Sequence, residues 1–131
     1  MYDDDYNKNP DLVAELFGFV DPDKGLIWSI NNKYYPDNTE IFEAHEGDIV
    51  KMRITNTQGQ SHPMHLHGQK FVILSKNGIK QDNFAWKDTV MIGNRDTIDI
   101  AFKAEEKGDW LFHCHILEHA QAGMLSIFRV L

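Results

Sequence analysis

Short apolar runs separated by turn residues make up most of this sequence, from Leu26 to the C terminus. Runs such as GLIWSI, KFVILS, DTIDIAFKA and GMLSIFRVL have the length and the β-branched and aromatic content of strands. The Asn-Gly pair at residues 77–78 is a strong hairpin signal. About eight such strands with few helical patterns predict an all-β fold, either a β-sandwich or a Greek-key barrel.

Two segments have a short helical pattern. They are DLVAELFG, residues 11–18, and ILEHAQAG, residues 116–123. In the run IVKMRITN, the apolar residues Ile49, Met52 and Ile54 stand among charged and polar ones, which is roughly the alternation of a half-buried strand. We therefore expect one or two short helices, and a strand in this run with one face in the core.

Length and charge limit the functions that this chain can have. Its 131 residues suffice for a single domain with one core, which we expect to span residues 1–131 and to begin with an acidic, flexible tail at residues 1–11. The net charge of −7, without a Lys/Arg cluster, disfavours nucleic acid and anionic membranes as partners. No run approaches the roughly 18 apolar residues of a membrane span, and the first residues lack a signal-peptide core.

Two segments contain six of the seven histidines and the only cysteine: SHPMHLHG, residues 61–68, and FHCHILEHAQAGM, residues 112–124. A free thiol is usually an inert, small core side chain. Here, however, the thiol lies between two histidines, and both segments have the residue types of metal ligands. The remaining histidine, His45, is expected to be a solvated residue at a strand end. The two segments therefore predict metal binding.

Strand geometry divides these residues into two groups, because successive side chains of a strand point to opposite faces. His113 and His115 should project to one side of their strand, and Cys114 to the other. His65 and His67 are also two residues apart, so they can converge on one point. An all-imidazole group of this kind suits copper, zinc or iron.

A second set combines a thiol, two imidazoles and a thioether: Cys114, His62, His119 and Met124. Pro63 is expected to interrupt strand pairing, which would let the His62 ring point away from the other histidines. Two histidines, one cysteine and a weak axial methionine are typical of blue, type 1 copper. Zinc is the chemical rival, although structural zinc sites usually have more thiolates at closer spacing.

The motifs HPMHLHG, residues 62–68, and GDWLFHCHILEHAQAGM, residues 108–124, resemble the copper-binding C-terminal domain of multicopper oxidases, the laccase-like enzymes. The segments LIWSINNKYYPD, EGDIVKMRITN and WKDTVMI are similar to other parts of that domain. The resemblance extends from about Phe17 to Leu131 and implies a cupredoxin-like fold.

The resemblance also implies a role for each ligand. Type 1 copper would be bound by His62, Cys114, His119 and Met124. Type 2 copper would be bound by His65, and type 3 copper by His67, His113 and His115. Cys114, His113 and His115 would be the catalytic residues, because an electron from the donor would pass through Cys114 to its two neighbours.

The implied reaction is one-electron oxidation of a small donor coupled to reduction of dioxygen, with nitrite as a less favoured acceptor. In this family the trinuclear copper centre lies between two cupredoxin domains, so the four histidines of this chain are half of one. We expect a homo-oligomer that shares copper across an interface, with a trimer favoured by analogy and a dimer as the alternative. The competing interpretations are a fragment or partner of a larger oxidase or nitrite-reductase-like assembly, and a cupredoxin-type electron carrier or copper-binding protein. Family habit implies an extracytoplasmic location.

Overall fold

The computed structural model describes residues 10–57, 59–82 and 84–131, and these form two β-sheets and one short helix. The described strands are β1 (Leu12–Asp21), β2 (Gly25–Ile30), β3 (Ile41–Ala44), β4 (Ile49–Asn56), β5 (His62–Leu66), β6 (Phe71–Lys76), β7 (Ile79–Lys80), β8 (Thr89–Ile92), β9 (Thr97–Lys103), β10 (Gly108–Cys114) and β11 (Leu125–Val130). The helix α1 (Leu117–Gln121) lies between β10 and β11. The predicted all-β sandwich is confirmed, with more strands than expected.

The six-stranded sheet has the order β2-β1-β4-β9-β6-β7, and the five-stranded sheet the order β3-β11-β10-β5-β8. Most neighbours are antiparallel, whereas β1 with β4 and β11 with β3 are parallel. The core lies between the inner faces of the two sheets. For example, Phe102 of the first sheet meets Phe128 of the second with ring centroids 5.2 Å apart. No helix in the described part of the chain is long and apolar enough to cross a membrane.

The sequence-based helix at residues 11–18 is wrong, because this segment belongs to strand β1. Ala14 and Leu16 are buried, while Val13 and Glu15 are exposed, so the segment has the period of a strand. Backbone pairing with β2 on one side and β4 on the other outweighs the helix propensity of alanine, leucine and glutamate. The second predicted helix, at residues 116–123, is confirmed as α1.

Strand β4 alternates as predicted, but one apolar residue faces the other way. Val50, Met52 and Ile54 point into the core, and Ile49 is 70% exposed. The predicted hairpin at residues 77–78 is present, with positive φ angles of 53° at Asn77 and 81° at Gly78. These angles fit a two-residue turn of the primed type, which matches the twist of the flanking strands.

The predicted acidic tail lies mostly outside the described residues. At its end, the Asp11 N–H donates to the Lys51 carbonyl oxygen at 2.7 Å, and the Lys51 N–H donates to Asp11 Oδ2 at 2.9 Å. Asp11 is therefore held against strand β4.

Candidate metal centre

Strands β5 and β10 carry most of the candidate ligands, and they are antiparallel neighbours in the five-stranded sheet. Met64 lies opposite Cys114, and His65 lies opposite His113. Met64 and Cys114 are buried in the sandwich, whereas His65 and His113 are on the outer face. The sequence-based division into an inner and an outer group is therefore the division that the two strands produce.

Pro63 does not interrupt the sheet, which corrects the expectation for His62. Pro63 lies within β5 opposite Met91, and its carbonyl oxygen accepts a hydrogen bond of 2.6 Å from the His115 N–H. His62 is paired with Ile92 and is fully buried. Strand alternation alone turns the His62 ring inward, because His62 is an even number of residues from Met64.

We use the name inner ligand group for the four ligands that the sequence predicts here, which are His62, Cys114, His119 and Met124. Cys114 Sγ lies 3.7 Å from His62 Nδ1 and 3.6 Å from His119 Nδ1, and the two Nδ1 atoms are 3.0 Å apart. These three side chains are the only group of three or more in the described residues whose metal-binding atoms all lie within 4.8 Å of one another. A thiolate and two imidazoles at this spacing fit a soft, borderline cation such as copper.

Backbone hydrogen bonds tie Met124 to two of these ligands. The Met124 N–H donates to the His119 carbonyl oxygen, and the Cys114 N–H donates to the Met124 carbonyl oxygen, both at 3.0 Å. Met124 is fully buried. The loop from α1 to β11 thus holds the Met124 backbone beside Cys114 and His119, and the role of Met124 as a ligand stays a prediction.

Gly123 allows this loop to pack closely. Its φ is +122°, and a Cβ atom at this position would lie 2.6 Å from both the Trp28 carbonyl oxygen and Tyr34 Cβ. Backbone strain of this kind costs about 1–3 kcal/mol, and overpacking adds about 1–3 kcal/mol. A side chain here would therefore displace the loop that carries Met124.

We predict that Gly123→Ala lowers the free energy of unfolding by about 2–6 kcal/mol, since both costs apply. Gly25→Ala is the matched control, because Gly25 also has a positive φ, +85°, but no atom lies within 4 Å of its added Cβ. Urea denaturation of both variants would measure the difference. Equal losses of unfolding free energy in the two variants would show that the loop adjusts to the added methyl group without a packing penalty.

The indole ring of Trp28 forms one wall of the inner ligand group. Its ring centroid lies 4.9 Å from that of His62, edge-on, and 4.6 Å from that of His119. Trp28 itself is buried. This contact excludes water from one side of the ligands and restricts the tilt of both imidazoles.

Burial keeps these ligands neutral in the absence of a cation. Desolvation and, to a lesser extent, the neighbouring His119 together lower the pKa of His62 to about 4. Desolvation also raises the pKa of the Cys114 thiol to about 11, against a hydrogen bond from the Ile116 backbone. A bound cation would offset the desolvation cost of the Cys114 thiolate, because metal and proton compete for the same sulfur. The donor set therefore fits a metal ion.

His119 is the ligand closest to solvent, with 6% of its surface exposed. Burial lowers its pKa, while the Glu118 carboxylate acts in the opposite direction. Its outer nitrogen, Nε2, lies 2.9 Å from the side-chain oxygen of Gln60. The outer nitrogen of His62 is buried and has no hydrogen-bond partner among the described residues.

The histidine face consists of His65, His67, His113 and His115 on the outer side of the same sheet. His65 lies at its centre, with ring centroids 4.6 Å from His67, 5.8 Å from His113 and 5.5 Å from His115. His67 Nε2 and His113 Nε2 are 3.0 Å apart. Burial is the main cause that lowers the pKa values of His67 and His113.

Two of these histidines are oriented through their Nδ1 atoms. The His113 Nδ1–H donates to the Cys114 carbonyl oxygen at 2.8 Å, and the His65 Nδ1–H donates to the Asp88 carbonyl oxygen at 2.8 Å. Both rings therefore keep an unprotonated Nε2 atom for a metal. Since no three donor atoms of the histidine face form a compact group among the described residues, this face resembles one side of a site.

Several residues of the site were not found from the sequence. Trp28 and Gln60 contact the inner ligand group, and Asp88 orients His65. Gln60 is two residues before His62, but nothing in an isolated glutamine indicates which imidazole it reaches. His45 is exposed just after strand β3, in agreement with its predicted position.

A β-sandwich that buries a cysteine and two histidines behind a face of four histidines defines a copper-binding, cupredoxin-type domain. The multicopper oxidase family model matches residues 7–131. The multicopper oxidase mco of Staphylococcus aureus is 34% identical over 113 residues, which are 78% of this chain and 24% of that protein. The iron transport multicopper oxidase fio1 of Schizosaccharomyces pombe is 37% identical over 103 residues, 70% of this chain and 16% of that protein.

Solved structures agree with the sequence comparisons. The McoA multicopper oxidase from Aquifex aeolicus has a TM-score of 0.79 and 28% identity, over 94% of this chain and 30% of that one. The chain belongs to the multicopper oxidase family, which uses copper. It spans about a quarter or less of the curated relatives named above. The His62, Cys114 and His119 site is compatible with type 1 copper.

Proposed function

We propose that this chain is the type 1 copper domain of a laccase-like oxidase, active as an oligomer or with a partner domain. The domain would oxidise a small donor one electron at a time and support reduction of dioxygen, with nitrite as a less favoured acceptor. Copper in the inner ligand group would supply a one-electron redox centre. His62, Cys114, His119 and Met124 would hold it, with His65 as a type 2 ligand and His67, His113 and His115 as type 3 ligands.

The observation that carries this proposal is the position of Cys114 between two ligand groups. Its side chain belongs to the inner ligand group, and its neighbours in sequence, His113 and His115, belong to the histidine face. The hydrogen bond from the His113 Nδ1–H to the Cys114 carbonyl oxygen adds a second connection to the covalent one. Electrons can therefore pass between the groups through very few bonds.

The histidine face needs a second set of ligands, and its surroundings suit an interface. Met91 is 56% exposed beside Pro63, and Leu111, also exposed, lies on the neighbouring strand that carries His113. On the same face, Arg129 forms a two-point ion pair with Asp109. Apolar groups near the histidines and paired charges further away can be covered by a partner without an unpaired charge being buried.

A second copy of this chain can provide the missing half. A two-fold dimer brings two identical faces together and so supplies eight histidines. In a ring of three copies, each histidine face meets a different surface of the next copy. That surface has no histidine to offer except His45, because His45 is the only histidine of the sequence outside the two groups. We therefore propose a two-fold dimer rather than the trimer favoured by analogy. A partner domain of a larger oxidase is the alternative source.

The test is the molar mass and copper content of the purified chain after it has been loaded with copper. We expect a species of twice the 15.2 kDa chain mass, with oxygen uptake on a phenolic or metal-ion donor. Met91→Glu should convert it to a monomer, since a carboxylate would be buried beside the histidines. Ile79→Glu is the control, because Ile79 is also exposed but lies in the other sheet.

The competing function is a cupredoxin-type electron carrier or copper-binding protein without oxidase activity. It is favoured by one observation, that the inner ligand group is complete within one chain whereas the histidine face is open. A monomer with one copper, a blue band and no oxygen uptake would support it and contradict the proposed two-fold dimer. We propose an extracytoplasmic location, in keeping with the family resemblance.

A further inference from the structure

The two imidazoles of the inner ligand group differ in how their outer nitrogens are satisfied. His119 Nε2 lies 2.9 Å from Gln60 Oε1, whereas His62 Nε2 is buried without a partner among the described residues. An amide oxygen can only accept a hydrogen bond, so the His119 proton must be on Nε2. His119 Nδ1 is then unprotonated and faces Cys114.

The same contact determines the state of His62 when no metal is bound. The Nδ1 atoms of His62 and His119 are 3.0 Å apart, so one of them must donate a hydrogen bond to the other. Since His119 Nδ1 is the acceptor, the proton lies on His62 Nδ1. His62 Nε2 is then a buried lone pair rather than a buried N–H group, which removes one unsatisfied donor.

Hydrogen bonds hold the backbone at Gln60 and its neighbour. Its carbonyl oxygen accepts a hydrogen bond of 2.8 Å from the side-chain amide of the buried Asn56. The neighbouring Gly59 N–H donates to Asn94 Oδ1 at 2.9 Å. Gln60 itself is exposed, but hydrogen bonds tie the backbone here to strand β4 and to the turn before β9, and its amide oxygen reaches His119 Nε2.

We propose that Gln60 is the positioning residue of His119: its amide oxygen fixes the Nε2–H tautomer and so presets His119 Nδ1 as a metal ligand before the metal arrives. His62 must move its proton from Nδ1 to Nε2 when a metal binds, and His119 need not. The two imidazoles therefore have different roles in loading the site. The proposal rests on the proposed copper function only for the identity of the metal.

The first test uses nitrogen-15 NMR of the metal-free full chain at neutral pH. We expect His119 protonated on Nε2 and His62 on Nδ1 in the native chain. In Gln60→Ala, His119 should become a mixture of both tautomers. Gln60→Glu keeps the length and the acceptor oxygen and should restore the Nε2–H tautomer, whereas Gln60→Asn is one methylene too short and should not.

The second test measures cuprous-ion affinity by competition with a chelating dye. Loss of a hydrogen bond to a ligating imidazole typically weakens metal binding by about 10- to 100-fold, and we expect this for Gln60→Ala and not for Gln60→Glu. Gln81→Ala, a glutamine on the distant β7 edge, is the control. Unchanged tautomers and affinity in Gln60→Ala would overturn the proposal. Neither measurement depends on oxidase activity, so both can be interpreted even if the chain has no oxidase activity.

Discussion

Cys114→Ser should abolish the blue absorption band completely, while copper still binds at the histidine face. The band requires a thiolate ligand, and Cys114 is the only thiol in the chain. The serine hydroxyl is nearly the same size and can bond to His62 Nδ1 or His119 Nδ1, so the fold should remain. The measurement is a visible absorption spectrum combined with copper analysis of the purified variant.

Met64→Leu is the control for this substitution. Met64 lies opposite Cys114 and is fully buried, but it is not one of the proposed ligands, so the blue band should remain. A blue band that survives in Cys114→Ser would mean that the inner ligand group is not the type 1 site. Loss of the band in Met64→Leu would mean that Met64, and not Met124, is the thioether ligand.

His65→Ala should have the opposite effect: the blue band stays and oxygen-dependent turnover is lost. His65 is central in the histidine face and is separated from the inner ligand group by the thickness of the strand. Loss of a hydrogen-bond partner of a ligating histidine typically lowers metal affinity or activity by about 10- to 100-fold. Removal of the ligand itself should therefore lower turnover by more than ~100-fold. Turnover is measured as oxygen uptake with a phenolic donor, in the assembly that the native chain forms.

His45→Ala is the matched control, because His45 is exposed and lies outside both ligand groups. Its oxygen uptake should equal that of the native chain. Unchanged turnover in His65→Ala would reject the shared copper cluster and leave the electron-carrier function. Together with Cys114→Ser, this variant tests the two ligand groups separately.

The ligand residues could be predicted from the sequence because their chemistry is rare and their spacing follows strand geometry. Period-two spacing separated Cys114 from His113 and His115 without knowledge of the sheet. Prediction failed where tertiary pairing decides the outcome. The segment at residues 11–18 is apolar in a pattern that fits helix or strand, and only its pairing with β2 and β4 selects the strand.

The supporting contacts could not be predicted, because they join residues that are distant in sequence. Trp28 reaches His119 across most of the chain, and Gln60 reaches the same ring from the turn before β5. The role of Pro63 was misjudged for a related reason. A proline is tolerated in a strand where its missing N–H is not needed for the ladder, and that depends on which neighbour the residue faces.

The pairing of β10 with β5 has a consequence for how this protein can change. A shift of one residue along the ladder would turn Cys114 to solvent and His113 into the core, since side-chain direction reverses at every position. Both ligand groups would be lost in the same event. A deletion or insertion inside this strand therefore cannot change one ligand group alone. Separate changes in the two groups must come from the loops that enter and leave the strand.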